Sequence, residues 1–504
     1  MELSLLMDGL VSIVTSPSTL LWCMLGVTIG TLVGALPGIG SLTAMAILMP
    51  ITFGVAPLDA LVLLISIYMG GMYGGRISSI LINVPGDAGA LVTTFDGYPM
   101  AQQGKAGHAL TLSAIASFIG GLVGFLGLVF LIGVVSKFAL SFGPAEYFAL
   151  ILFSLIASSG VTGGKPSKAF ISVTLGLLIA MIGLDPLAGD QRMTFGSIHL
   201  WDGISFVVVA IGIFGLSEVL ARLESNKSKE SMFTKFKFSS LFPKVSEISK
   251  TFFSMTRGGI IGFLVGALPG AGASVATFLS YSLEKKISKQ PETFGKGNPH
   301  GLSGPEAADN ASVGGALIPT FSLGIPGTAS AAILLGGMMM VGLQPGPALL
   351  QESADIVWGA IAALLVANIL LLVLNTLFIP FFAILIKNAE PYLTAVIASL
   401  CFIGVYTYRN SLFDVILLIV FSLVGYFMRK NGYPLAPLIL GMILSPLLEQ
   451  NFRRALLLSE NNLLIFVSSP ISITFVLLSL SILILPRIRK YKNREKNNHT
   501  LINY

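Results

Sequence analysis

The chain has 504 residues, of which 54% are hydrophobic and only 11% charged. A soluble domain carries about a quarter charged residues, so this composition excludes an ordinary globular enzyme or nucleic-acid-binding module and calls for lipid. The net charge of +6 sits in a few short loops and the tail, where it reads as a membrane-topology signal.

The 55 Gly and 25 Pro lie among apolar runs, as they do where membrane helices are interrupted. Cys23 and Cys401 both fall in apolar segments and suggest no disulfide framework. His108, His199, His300 and His499 have no partner at ligand spacing, so no zinc, haem or other cofactor is expected.

In chain order, the opening MELSLLMDGLVSIV carries Glu2 and Asp8 but no Lys or Arg. A secretory leader needs a basic first region, so this stretch is expected to be an interfacial helix that stays on the mature protein. An apolar stretch over 20–53 is broken by LPG. Spans of about 20 residues are expected near 57–83, 107–135, 140–161, 166–184 and 203–221. A basic loop runs from Arg222 to Arg257. A second broken stretch, 258–282, precedes spans near 306–343, 357–386, 391–407, 412–428, 434–448 and 463–485. The tail holds Arg487, Arg489, Lys490, Lys492, Arg494 and Lys496.

Basic loops stay in the cytoplasm, which puts the Arg222–Arg257 loop and the tail there. The segment 258–282 has basic residues on both flanks, with Lys285, Lys286, Lys289 and Lys296 behind it. Pro269-Gly270 divides it into two pieces of about eleven residues, each too short to cross. A re-entrant hairpin with both ends in the cytoplasm satisfies both facts. Residues 1–75 contain no Lys or Arg, so a hairpin at 20–53 opens to the outside. Lys137, Arg192, Arg409, Arg453 and Arg454 fall outside as exceptions to the charge rule.

The two broken stretches are copies. Gly30-Thr31-LVGALPG-Ile39-Gly40 recurs as Gly262-Phe263-LVGALPG-Ala271-Gly272, at an offset of 232. Gly74-Gly75 and Pro85-Gly86 have counterparts in Gly314-Gly315 and Pro326-Gly327. Pro144-Ala145-Glu146-Tyr147 resembles Ala389-Glu390-Pro391-Tyr392. An odd number of spans between the hairpins inverts one half relative to the other. The expected fold is therefore an all-α polytopic membrane protein of two inverted repeats, with about eleven spans and two re-entrant hairpins. That architecture is common among secondary transporters and fits an elevator-type one. The expected organisation is a first repeat over 1–225, a basic cytoplasmic linker over 226–256, a second repeat over 257–486 and a cytoplasmic tail over 487–504.

Each half has two helix breaks. A broken helix frees N–H groups at one half-helix start and C=O groups at the other half-helix end, giving anion and cation sites respectively. Glycine lets a ligand approach the backbone closely. The candidate substrate- and ion-binding residues are thus Gly38, Gly40, Ser41 and Thr43 at the first tip, and Gly270, Gly272 and Ser274 at the second. Asn83, Pro85, Gly86 and Asp87 form one Pro-Gly break; Gly324, Pro326, Gly327, Thr328 and Ser330 form the other. Thr277 adds a hydroxyl nearby.

Arg76, inside an apolar run, is costly to bury and has two readings. It clamps a substrate carboxylate, or it pairs with a structural acid such as Asp87 or Asp96. Asp309 reads as a charge opening a helix, and Glu146 and Glu390 as boundary residues. Gly163-Gly164-Lys165-Pro166-Ser167 has Pro where a phosphate loop needs Ser or Thr, so no ATP site is expected. The hydroxyl-rich tips have no nearby His for nucleophilic catalysis, so the chain reads as a non-enzyme.

The motifs GxLVGALPGIG, GGMYGGRISSILINVPGDAGALVTTFDGYPMAQQGKAG, GALPGAG and PHGLSGPEAADNASVGGALIPTFSLGIPG resemble the TctA family. That family is the large membrane subunit of bacterial tripartite tricarboxylate transporters. The resemblance implies a small TctB-like membrane subunit and a TctC-like periplasmic solute-binding protein. It also implies uptake of carboxylates such as citrate across the inner membrane, driven by an ion gradient, sodium or proton, rather than by ATP. A non-transport membrane scaffold and a channel are the alternative classes; paired symmetric breaks favour a transporter over either.

Overall fold

The computed structural model describes residues 2–36, 39–161, 166–185, 189–224, 243, 245–270 and 272–484, with the backbone alone at 2, 160–161, 245, 379–391 and 393. The basic loop and tail lie largely outside these residues. The first helices are α1 (Glu2–Thr15), α2 (Pro17–Gly34), α3 (Gly40–Leu48), α4 (Pro57–Ile82), α5 (Thr93–Met100), α6 (Ala106–Ala139), α7 (Pro144–Val161) and α8 (Pro166–Ala180). Then come α9 (Phe206–Ala210), joined by a wide turn to α10 (Ser217–Glu224), α11 (Val245–Gly266), α12 (Gly272–Ile287), α13 (Pro299–Leu323) and α14 (Ala329–Met340). The last are α15 (Leu349–Glu352), α16 (Ala354–Leu377), α17 (Ile379–Arg409), α18 (Leu412–Lys430) and α19 (Ala436–Leu458), followed by an apolar helix over Pro470–Ile484. Among the described residues the strands are one two-residue pair, Gly183–Leu184 with Gln191–Arg192.

Six helices among the described residues are long and apolar enough to cross a bilayer, and seven more are apolar but shorter. The sequence suggested more full spans, and the difference has local causes. The expected span 306–343 is cut at Gly324, where α13 ends and α14 begins after Pro326. The expected spans 357–386 and 391–407 divide instead at Phe378, so that α17 runs unbroken over Ile379–Arg409. The hairpin arms are also longer than expected. The first arm of the second hairpin is a 22-residue helix that starts at Val245, upstream of the apolar stretch, and the second arm has 16 residues.

The chain packs into two compact units, one of residues 1–140 and 204–431, the other of residues 141–203 and 432–504. In the larger unit the internal repeat has the same local geometry twice. Pro57 opens α4, and Asn83, in the left-handed region at φ 56°, closes it with N–H donation to Ser78 O. Pro299 opens α13, and Gly324, at φ 67°, closes it with N–H donation to Pro319 O. The two opening prolines stand 242 residues apart and the two closing residues 241. Pro85 and Pro326 follow two residues later and cannot continue a helix. Before each tip, Ala35 N bonds Thr31 O and Leu36 N bonds Val33 O, as Ala267 N bonds Phe263 O and Leu268 N bonds Val265 O. Gly40 and Gly272 open the second arms at φ 62° and 66°.

Glycine spacing seats each first arm on its own long helix. A Cβ on Gly26 would lie 2.8 Å from Leu63 O, one on Gly30 2.6 Å from Ile67 O, and one on Gly34 would overlap Gly71 O. Gly258, Gly262 and Gly266 approach Gly304, Ala308 and Ser312 of α13 in the same register. Small residues four apart let helix backbones touch where no hydrophobic effect pulls them together. α6 joins α13 similarly, with Gly120 against Ala307 and Gly124 against Ala311. α13 is buried from Gly301 to Ser322 and forms the centre of this unit.

The peripheral helices show a cross-over between the halves. In the smaller unit α7 and α8, from the first half, pack on α19 from the second, with Gly176 against Leu438 and Gly441 against Val173. In the larger unit α17 and α18, from the second half, pack on the α9–α10 segment from the first, with Gly425 against Ile213 and Gly212 against Leu418.

Two of the arginines that the charge rule leaves outside are ion-paired in the smaller unit. Arg192 bonds Glu449 at 2.7 Å, and Arg453 meets Asp185 at 2.9 Å and Glu449 at 2.7 Å.

Candidate functional site

All four helix breaks meet in a closed ring within the larger unit. At the first tip, Gly40 approaches the first Pro-Gly break: a Cβ there would lie 3.0 Å from Cβ of Asp87. Ser41, one residue on, points to the other break, with its Oγ 3.2 Å from Ser330 Oγ. The second tip touches its own break, where Gly270 N donates to Gly327 O at 3.1 Å. It also reaches across, because a Cβ on Gly89 would lie 3.3 Å from Cβ of Ala273. Each tip therefore contacts both Pro-Gly breaks.

The close approaches depend on missing side chains. A Cβ on Gly86 would overlap Gly75 and lie 2.5 Å from Gly34 O. One on Gly327 would lie 2.7 Å from Gly266 O and 2.8 Å from Cα of Ala316. Thr328 caps α14 by accepting from Ala331 N at 3.1 Å, and its hydroxyl meets Tyr68 OH at 2.8 Å. Pro326 is buried and Ser274 is half-buried on α12, where its carbonyl accepts from Thr277.

Other expected residues stand apart. Asn83 is exposed and serves as the left-handed helix end. Pro85 is half-buried in the break, and Gly272 faces open space. Thr43 is buried on α3 two residues past Ser41, a spacing that turns it to another face. Gly38, with Pro37, lies outside the described residues.

Arg76 resolves differently from either structural partner suggested for it. Its guanidinium is 1% exposed, 4.0 Å from Glu306 Oε2, and donates to Ser117 Oγ at 2.7 Å. Ser117 in turn donates to Glu306 at 3.2 Å, and Thr93 also bonds that carboxylate. Because Gly120 lets α6 lie against Ala307, Ser117 one turn earlier reaches Glu306. The Arg76 guanidinium also stacks 4.3 Å from the Tyr73 ring, and Tyr73 OH donates to Asn368 at 2.8 Å.

Asp96 instead gathers a loop: its Oδ1 accepts from Gly295, Gly297 and Asn298 N at 2.9, 2.8 and 2.7 Å. Asp87 accepts from Ala90 N at 2.9 Å within its own break. Asp309 does not open a helix. α13 starts at Pro299, so Asp309 sits three turns in and is buried. Glu146 lies in the first turn of α7 and accepts from Gly143 N at 3.0 Å. The side chain of Glu390 lies outside the described residues.

Sequence reading passed over Glu306, Ser117, Tyr68 and Tyr73. Glu306 carried a usable signal, since it is an acid within the apolar block GPEAADNASVGGALIP, subject to the same burial cost that singled out Arg76. The three others look like ordinary helix residues until the fold brings them to their partners.

The apolar helices and the ring of broken helix ends around buried charge define a polytopic α-helical membrane protein of transporter type. The Tripartite tricarboxylate transporter TctA family matches residues 20–440, and the chain belongs to that family. It is 38% identical over 485 residues to the "Uncharacterized 52.8 kDa protein in TAR-I ttuC' 3'region" of Agrobacterium vitis, covering 95% of this chain and 96% of that one. It is also 38% identical over 239 residues to the "Uncharacterized protein in TAR-II ttuC' 3'region" of the same organism, covering 46% of this chain and 98% of that one. No solved structure matches.

Proposed function

We propose that the chain is the large permease subunit of a binding-protein-dependent tripartite transporter that takes up a tricarboxylate or related carboxylate across the bacterial inner membrane. The observation that carries this reading is the ring of four helix breaks, closed by Ser41–Ser330 on one side and Gly270–Gly327 on the other. Free backbone groups at half-helix ends suit an anion and its coupling cations side by side. The partners in this reading are a small TctB-like membrane subunit and a TctC-like periplasmic binding protein. The repeats are inverted and work by an elevator-type movement, with the C-terminus in the cytoplasm.

Coupling to sodium or protons follows from electrostatics. A unit charge crossing 100 mV costs about 2.3 kcal/mol, so a trianion entering a negative-inside cell faces about 7 kcal/mol before any concentration gradient. Three coupled monovalent cations, or fewer with a partly protonated substrate, offset that voltage.

The test is uptake of labelled citrate and related carboxylates into proteoliposomes holding both membrane subunits, with binding protein outside and sodium, proton or voltage gradients imposed in turn. Accumulation that depends on an ion gradient is expected. Undiminished accumulation with every gradient collapsed sinks ion coupling. Counterflow of labelled substrate separates a carrier from a channel, and no substrate movement leaves a scaffold. For topology, cysteines at Ala56 and Gln290, both exposed, should label from opposite faces of the membrane; labelling from one face overturns the inversion.

A further inference from the structure

The two repeats build the same place from different chemistry. At the 241-residue offset Tyr68 corresponds to Asp309, Thr328 to Asp87, and Ser330 to Gly89; at the tips, Ser41 corresponds to Ala273. In one copy Tyr68 bonds Thr328 and Ser41 meets Ser330, so four hydroxyls satisfy one another. In the other copy the tyrosine and threonine are replaced by carboxylates and the two serines by alanine and glycine. Asp309 is 3% exposed, and its Oδ1 has no hydrogen-bond partner. That oxygen lies where a Cβ on Gly89 would stand, beside Ala273. Asp87 is only half-buried, which leaves a way in from outside.

Charge balance sharpens the contrast. The titratable groups that interact with Asp309 are Asp87, Glu306, Arg76 and Tyr68. The one guanidinium among them, Arg76, is held by Glu306 and Ser117. A buried carboxylate beside a second one is costly to keep charged without a positive partner.

We infer that Asp87 and Asp309, beside Gly89 and Ala273, form a binding site for a monovalent coupling cation, sodium or a proton, and that the hydroxyl copy at Ser41, Tyr68, Thr328 and Ser330 lacks one. The inference rests on the ion-coupled reading above and assigns the cation to particular atoms. A bound cation supplies the missing positive partner, and oxygen ligands suit a hard ion. The asymmetry gives each copy one task, with the carboxylate copy holding the cation and the neutral copy left for the substrate.

The test uses the full transporter purified with its small subunit. Binding of radioactive sodium, and proton release on adding sodium, are measured for the wild type and for Asp87→Asn, Asp309→Asn and Gly89→Ala. Gly89→Ala keeps both carboxylates and pushes a methyl into the place of Asp309 Oδ1, so it serves if the Asn variants fail to fold. Sodium retention without proton release identifies sodium; proton uptake on adding substrate identifies the proton. Loss of that binding in all folded variants is expected. In proteoliposomes at 100 mV, losing one coupled charge lowers accumulation by about 50-fold. Wild-type cation binding in Asp309→Asn, or in Gly89→Ala, overturns the site. Should the wild type prove independent of every ion gradient, the transport reading fails, while the binding measurement still decides whether these atoms hold a cation.

Discussion

Glu306→Gln is the substitution that most directly separates a structural from a substrate-clamping role for Arg76. The guanidinium is 1% exposed, and its Nε and Nη2 have no hydrogen-bond partner. Glu306, 2% exposed, is its nearest counter-charge. Neutralising Glu306 leaves a buried cation supported only by Ser117 and the Tyr73 ring. Breaking one side of a buried pair costs about 3–5 kcal/mol, whereas replacing both sides by apolar groups of similar volume is often close to neutral. Glu306→Gln should therefore lower the melting temperature in detergent by roughly 3–5 °C, and Arg76→Met with Glu306→Leu should recover most of it. Tryptophan fluorescence with size-exclusion chromatography reads both. If Glu306→Gln melts like the wild type, the guanidinium is not balanced by Glu306 and the pair is not structural. A double variant no more stable than the single one would show that Ser117 and Tyr73, rather than the carboxylate, are the partners that matter.

Other substitutions test the remaining contacts. Gly34→Ala and Gly266→Ala each push a methyl into a backbone carbonyl of the adjoining long helix; each should destabilise by about 1–3 kcal/mol, read as a lower melting temperature. Gly324→Ala forces an L-residue to φ 67° and should cost about 1–2 kcal/mol, whereas Asn83→Gly at the equivalent position should cost little; equal losses would contradict the shared geometry. Asp96→Ala strips three N–H donors in the 295–298 loop of their acceptor, so limited proteolysis there should speed up, and an unchanged rate would refute the loop-holding role. Ser41→Ala removes the hydroxyl link to Ser330 and should reduce uptake at unchanged expression; full uptake would make that link a packing contact only.

Much of the local structure was readable from the chain. Pro85 and Pro326 end helices because they lack an N–H, and Asn83 and Gly324 sit where the backbone must turn left-handed, so both Pro-Gly breaks could be placed from the sequence alone. The duplicated LVGALPG gave away the paired tips, and Arg76 drew attention because a charge inside an apolar run is expensive. These are properties of a residue and its immediate neighbours. Span boundaries were less clear: hydropathy runs on past Phe378, while the helix ends there.

Pairings between distant segments could not be read the same way. Ser117 reaches Glu306 from 189 residues away because glycines on α6 let that helix lie against α13, and apolar periodicity carries no record of which helix a given glycine will meet. The crossing of α19 to α7 and α8, and of α9–α10 to α17 and α18, is invisible for the same reason. In a membrane, small-residue packing chooses helix partners, and many glycine rows compete. Asp309 shows the division most clearly. The sequence alone determined that an acid lies in a glycine- and alanine-rich block, and local pattern suggested a helix start. Only the tertiary structure set it three turns into a buried helix, opposite a missing side chain at Gly89, because burial depends on what the rest of the chain brings to that spot.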